Sequence, residues 1–142
     1  MPVIRLTPSA VALAILFTVT GISHFLFHGF FSSMVPAWIP YPAAVVTVTG
    51  VLELLGAVGL IIPETRELAG WCLIALLVAV FPANIEMLVT ARAAQSSALV
   101  ETLLWLRLPL QPLLIFLIYR YVTVPSRHAR TLKALTATAA AR

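Results

Sequence analysis

The chain has no aspartate, a single lysine, Lys133, and a single cysteine, Cys72. Charged residues make up 10% of its 142 residues and hydrophobic ones 61%, whereas roughly a quarter of a soluble domain is charged. So few charges cannot clothe a water-facing surface, and so apolar a chain is not a polar disordered segment. One cysteine permits no internal disulfide and no Cys-x-x-Cys redox pair, and it is too few for a structural zinc site. There is no Gly-x-Gly-x-x-Gly or Walker-type loop, so nucleotide binding has no support. The net charge of +4 is concentrated towards the C-terminal end, which favours a membrane surface over nucleic acid as its partner.

What the chain does have is apolar length. At about 20 residues per crossing of a roughly 30 Å hydrocarbon core, it has room for four crossings with short connections. Four runs stand out, over 8–27, 42–62, 68–91 and 103–122. Strands of a membrane barrel would be about ten residues long and alternate in polarity; these runs are longer and do not alternate. The expected fold is all-α, an integral membrane four-helix bundle over 1–125 followed by a basic cytoplasmic tail over 126–142. The first run could also pass for a cleaved signal peptide ending near Gly21-Ile22-Ser23. Its apolar character continues into Phe25 and Phe31, so it is read as a retained helix.

Lys and Arg counts set the expected orientation. With both termini inside, Arg5, Arg66, Arg120, Arg127, Arg130, Lys133 and Arg142 fall on the cytoplasmic side, and only Arg92 and Arg107 on the outer side. Trp38, Tyr41 and Trp105 then lie at the outer interface, and Trp71, Tyr119 and Tyr121 at the inner one. The expected location is the cell membrane. Between the first two runs, Pro36, Pro40 and Pro42 interrupt helix formation in a greasy segment. That segment reads as an apolar interfacial linker or as a lid over a lateral entrance. The tail reads as a short amphipathic helix on anionic lipid or as a frayed end.

The informative residues are those that hydrocarbon should not contain: His24, Glu53, Asn84, Glu86, Arg107 and Gln111. An ionisable group at mid-membrane costs on the order of 3 kcal/mol and faces the bundle interior. Pro82, Pro109 and Pro112 remove backbone donors and free the carbonyls of Val78, Trp105 and Leu108. Asn84 and Gln111 therefore suit a structural role at those carbonyls, and Glu53 suits a buried network with Arg107, with Glu86 as rival partner. For His24, Glu53 and Arg107 together, a small-molecule pocket in the outer half of the bundle is the sharper reading. A metal site from His24, His28 and a glutamate is the weakest of the three. Gly21, Gly50 and Gly56 read as positions of close helix packing.

Several short words occur in order: Gly21-Ile22-Ser23-His24-Phe25, Met34-Val35-Pro36 with Trp38-Ile39-Pro40, and Thr49-Gly50-Val51-Leu52-Glu53 with Gly56. Pro63-Glu64-Thr65-Arg66, Phe81-Pro82-Ala83-Asn84 and Arg107-Leu108-Pro109-Leu110-Gln111 follow. Over about residues 15–118 the chain resembles the DoxX family of small four-helix membrane proteins, in its DoxX-like branch. The resemblance implies a helical bundle with interior polar residues at His24, Glu53, Asn84, Arg107 and Gln111. It also implies functions as varied as a quinone-linked oxidation subunit, an enzyme-maturation factor and a receptor-assembly chaperone. Relatives that perform thiol chemistry use paired cysteines, which this chain lacks.

Two functional expectations stand. The first, which the reading favours, is an accessory, chaperone-like or structural subunit without autonomous enzymatic activity, packing against a membrane protein or a second copy of itself. The second is a quinone- or lipid-binding subunit of a redox system, with His24, Glu53 and Arg107 at the head group. No cofactor is required by the sequence, no metal is expected, and nothing points to nucleic acid.

Overall fold

The computed structural model describes residues 7–140; Arg5 and Arg142, both counted towards the cytoplasmic side, lie outside them. The regular structure of the described chain is all helical, with no strand among these residues. Helix α1 spans Pro8–Leu26 and the short α2 spans His28–Ser33. Helices α3, α4 and α5 span Pro42–Ile61, Arg66–Ala93 and Ala98–Ile118. A π-helical turn, Tyr119–Thr123, joins α5 to α6, Val124–Ala140.

The local reasons for these boundaries are visible. Pro8 and Pro42 open α1 and α3, where a missing N–H is harmless and the fixed φ is already helical. Tyr41, just before Pro42, turns the chain through the left-handed region at φ 56°. At the other end of α3, Arg66 donates from Nε to the Leu60 carbonyl at 2.7 Å and from a terminal nitrogen to that of Ile61 at 3.1 Å. It thereby satisfies carbonyls that the helix end leaves orphaned. Helix α5 begins at Ala98, five residues before the apolar run that marks it (103 − 98 = 5). The Ser97 hydroxyl accepts from the Val100 amide at 3.4 Å, and Glu101 sits in the first turn, where its charge suits the helix dipole. The greasy segment after α1 is partly helical: α2 forms before Pro36, and the prolines confine it to six residues.

Four helical stretches are long and apolar enough to cross a membrane: Pro8–Leu26, Pro42–Ile61, Arg66–Ala93 and Ala98–Ser126. Large apolar side chains on all four point outwards, among them Val19, Leu55, Leu68 and Leu99. Among the described residues, Asn84 and Gln111 are buried. Apolar outside and polar inside is the arrangement of a helix bundle solvated by lipid. Helix α1 packs along α3, α3 against α4, and α4 against α5; α1 meets the last crossing mainly at its π-helical turn. Leu13, Phe17, Leu60, Leu73, Ile118 and Val122 form the apolar core at that end. Met87, Leu88 and Leu104 form a smaller cluster towards the other end. Asn84 lies between the two along α4, where side chains of α1 and α5 join it around a cavity. That cavity is the candidate site.

Candidate functional site

The site starts from a close crossing of α1 and α3. A Cβ on Gly50 would sit 2.9 Å from His24 Cβ and 3.2 Å from the Gly21 carbonyl oxygen, and one on Gly21 would sit 3.2 Å from the Gly50 carbonyl oxygen. Only glycine at both positions allows this approach without displacement, and the approach is what sets His24 beside Glu53. The His24 Nδ1 lies 3.6 Å from Glu53 Oε2 and 2.8 Å from the Thr20 carbonyl oxygen. A carbonyl can only accept, so Nδ1 carries a proton and, in a neutral imidazole, Nε2 keeps its lone pair. Phe31, brought in by α2, stacks on the imidazole with ring centroids 4.6 Å apart and planes within 10°.

Across the cavity, α4 and α5 are tied together by side-chain amides. Asn84 Nδ2 donates to Gln111 Oε1 at 2.5 Å, and Gln111 Nε2 donates to the Leu77 carbonyl. That carbonyl lies one residue before Val78, the carbonyl that Pro82 leaves without its helical donor. The amide pair thus bridges the helices where the proline disturbs α4.

Arg107 is the tenth residue of α5, counted from Ala98, and Glu53 the twelfth of α3, counted from Pro42. The early start of α5 therefore brings Arg107 close to the level of Glu53 rather than above it. The two lie within electrostatic reach of each other but do not form a contact ion pair. No ion pair or hydrogen bond joins the Arg107 guanidinium to any described residue, and Glu53 Oε2 is buried without a hydrogen-bond partner. Glu53 and Arg107, expected from the sequence to share one buried network, line the same cavity without a contact ion pair; Glu53 lies instead beside His24, because α1 and not α5 packs against α3.

His24, Glu53, Asn84, Arg107 and Gln111 all line one cavity of about 190 Å³. Its walls come from α1, α4 and α5, with Glu53 from α3 and Phe31 from α2. Leu16 of α1 and Leu110 of α5 line it too and are themselves exposed on the outside of the bundle. A smaller lobe of about 80 Å³ continues beneath Met34 and Val35, sharing Phe31, Glu53 and Arg107. Glu86 lines neither lobe and does not pair with Arg107. His28 faces away from any site with His24, its Nε2 lying 3.1 Å from both the Ala43 carbonyl and the Thr47 hydroxyl oxygen. Cys72 is exposed along a separate apolar groove between α3 and α4.

Two contributors were not singled out from the sequence. Thr20 stands one turn before His24, and the i, i+4 spacing was available as a signal. Phe31 belongs to the aromatic run Phe25 to Phe31, but its ring over His24 depends on the turn between α1 and α2.

A family model described as a domain of unknown function, DUF8561, matches residues 13–122. No curated protein matches the chain, and no solved structure does. The family match overturns the resemblance to DoxX, since the family identified across the resembling span is a different one. The shared words have local causes that any small helical membrane bundle can meet. Gly21 and Gly50 permit a crossing, Pro63 to Arg66 make a capped turn, and Asn84 and Gln111 bridge proline-bearing helices.

Proposed function

Because the chain belongs to the DUF8561 family, of unknown function, we propose its role from the site itself: a membrane-embedded binder of a small amphipathic molecule. The observation that carries this reading is a guanidinium with no ion pair or hydrogen bond to a described residue, on the same intramembrane cavity as a buried carboxylate oxygen that accepts no hydrogen bond. Groups of this kind are costly in hydrocarbon when unpaired, and a polar head group supplies what the protein does not. Arg107 donates to the head, His24 and Glu53 contact it from α1 and α3, and the Asn84–Gln111 bridge holds the opposite wall. The tail leaves between α1 and α5, past Leu16 and Leu110, into the surrounding lipid. Quinones and lipids are both amphiphiles of suitable form.

This reading is favoured over an accessory-subunit role, which rests on a different feature. The apolar groove between α3 and α4, about 740 Å³ and lined by Gly56, Gly59, Ala69, Cys72 and Ala75, offers a surface to a partner helix or an acyl chain. It contains no orienting polar group comparable to the α1–α5 cavity.

Mass spectrometry of the protein after mild detergent extraction tests the proposal. An amphiphile retained by the wild type and lost on replacing Arg107 is the expected result; equal retention by both would remove the site from consideration.

The proposed orientation places both termini in the cytoplasm of a cell-membrane protein, with the cavity in the outer half of the bundle. The support is the seven-to-two distribution of Lys and Arg. A cysteine introduced at Ala140, in a Cys72→Ala background, should react with an impermeant maleimide only after the membrane is opened. Labelling from the outside of intact cells would invert the topology.

A further inference from the structure

The cavity's charge balance narrows its ligand beyond a polar head and an apolar tail. Glu53 and Arg107 are the carboxylate and guanidinium on its walls, and the smaller lobe adds no further Asp, Glu, Lys or Arg. With Glu53 ionised and the imidazole uncharged, their formal charges cancel. A net charge brought into so apolar a setting has to be compensated locally. An anionic head would suit Arg107 and oppose Glu53, and a cationic head would do the reverse.

The hydrogen-bonding capacities on the walls point the same way. The Arg107 guanidinium can only donate, while the ionised Glu53 carboxylate can only accept. With Nδ1–H directed to the Thr20 carbonyl, the neutral His24 ring offers its remaining nitrogen as an acceptor. A ligand head that satisfies this set must both accept and donate, and it must do so without bringing a charge. Resting on the binding reading above, we propose that the cavity selects an uncharged amphiphile whose head carries both a hydroxyl donor and an oxygen acceptor. Monoacylglycerols, alkylphenols and long-chain alcohols belong to this chemical class; fatty acids and alkylamines do not.

The test uses the full chain in phosphatidylcholine nanodiscs at alkaline pH. Three radiolabelled probes share a ten-carbon tail: monodecanoylglycerol, decanoate and decylamine. Each is scored for retention over protein-free nanodiscs. The wild type should retain monodecanoylglycerol at least about tenfold better than either charged probe. Glu53→Gln leaves one positive charge and should move the preference to decanoate. Arg107→Gln leaves one negative charge and should move it to decylamine. A wild type that retains decanoate or decylamine best overturns the charge-neutral assignment while leaving a binding site in place. The assignment falls equally if both variants fold, by size-exclusion profile, and keep the wild-type preference. Retention of none of the probes by the wild type overturns both this inference and the binding reading beneath it. The wild-type comparison decides without any variant, so a substitution that fails to fold does not remove the test.

Discussion

Replacing Arg107 with Leu should reduce ligand retention by about 100-fold, the equivalent of losing roughly two to three kcal/mol of charge-assisted hydrogen bonding. The bundle itself should be as stable as the wild type or more stable. The two expectations come from the same geometry. Arg107 lines the cavity and has no contact ion pair or hydrogen bond with a described residue, so its removal breaks no bond within the fold. A charged side chain at depth in a membrane costs about 2.5–3.5 kcal/mol on insertion scales, and leucine removes that cost. A structural arginine behaves in the opposite way, since truncating one partner of a buried pair destabilises by about 3–5 kcal/mol. Unfolding in mixed micelles measures the stability arm, and retention of monodecanoylglycerol measures the binding arm. Loss of stability by several kcal/mol would show that Arg107 holds the bundle together.

Arg66 has the opposite arrangement within the same chain. It is buried and directs its guanidinium to the carbonyls of Leu60 and Ile61, so its donors are consumed by the fold. Its position beside the Pro63 turn was legible in the sequence, although its capping role was not. Arg107 has no comparable duty. Two arginines on long apolar helices thus differ in what their guanidinium groups contact, and only their surroundings distinguish them.

Features governed by local chemistry were readable from the sequence. Pro8 and Pro42 mark the starts of two helices, and Pro63 follows the end of one. Hydropathy marked the four long helices, because lipid demands some twenty apolar residues in a row whatever the tertiary arrangement. It misplaced the start of α5, because Ser96, Ser97 and Glu101 are polar and yet compatible with a capped first turn. The polar residues of the site could be picked out singly, since each is unusual in hydrocarbon. Their pairing could not be read, because it depends on which helices are neighbours and how they are rotated. Glu53 meets His24 through a glycine crossing of α1 and α3, whereas the rival Glu86 falls off the cavity altogether.

Replacing Gln111 with Leu should destabilise the bundle by about 2 kcal/mol, because it leaves the buried Asn84 amide without its partner. It also removes the donor that reaches the Leu77 carbonyl beside the proline-disturbed turn. Asn84→Leu should have a similar effect, since the Gln111 carbonyl oxygen then lies buried and unmatched. The double replacement removes both polar groups and exchanges them for apolar side chains of comparable size. It should therefore cost less than the sum of the singles, by about 1–2 kcal/mol at the upper end of what interhelical hydrogen bonds contribute in membranes. Reversible unfolding of all four proteins under identical micelle conditions gives the cycle directly. Strict additivity would mean that the 2.5 Å contact has no energetic weight, and that the two amides sit on the cavity wall for the ligand alone. The cycle also separates this pair from Arg107. A bridge between α4 and α5 changes stability first and binding second, whereas a head-group contact changes binding while the helices stay together.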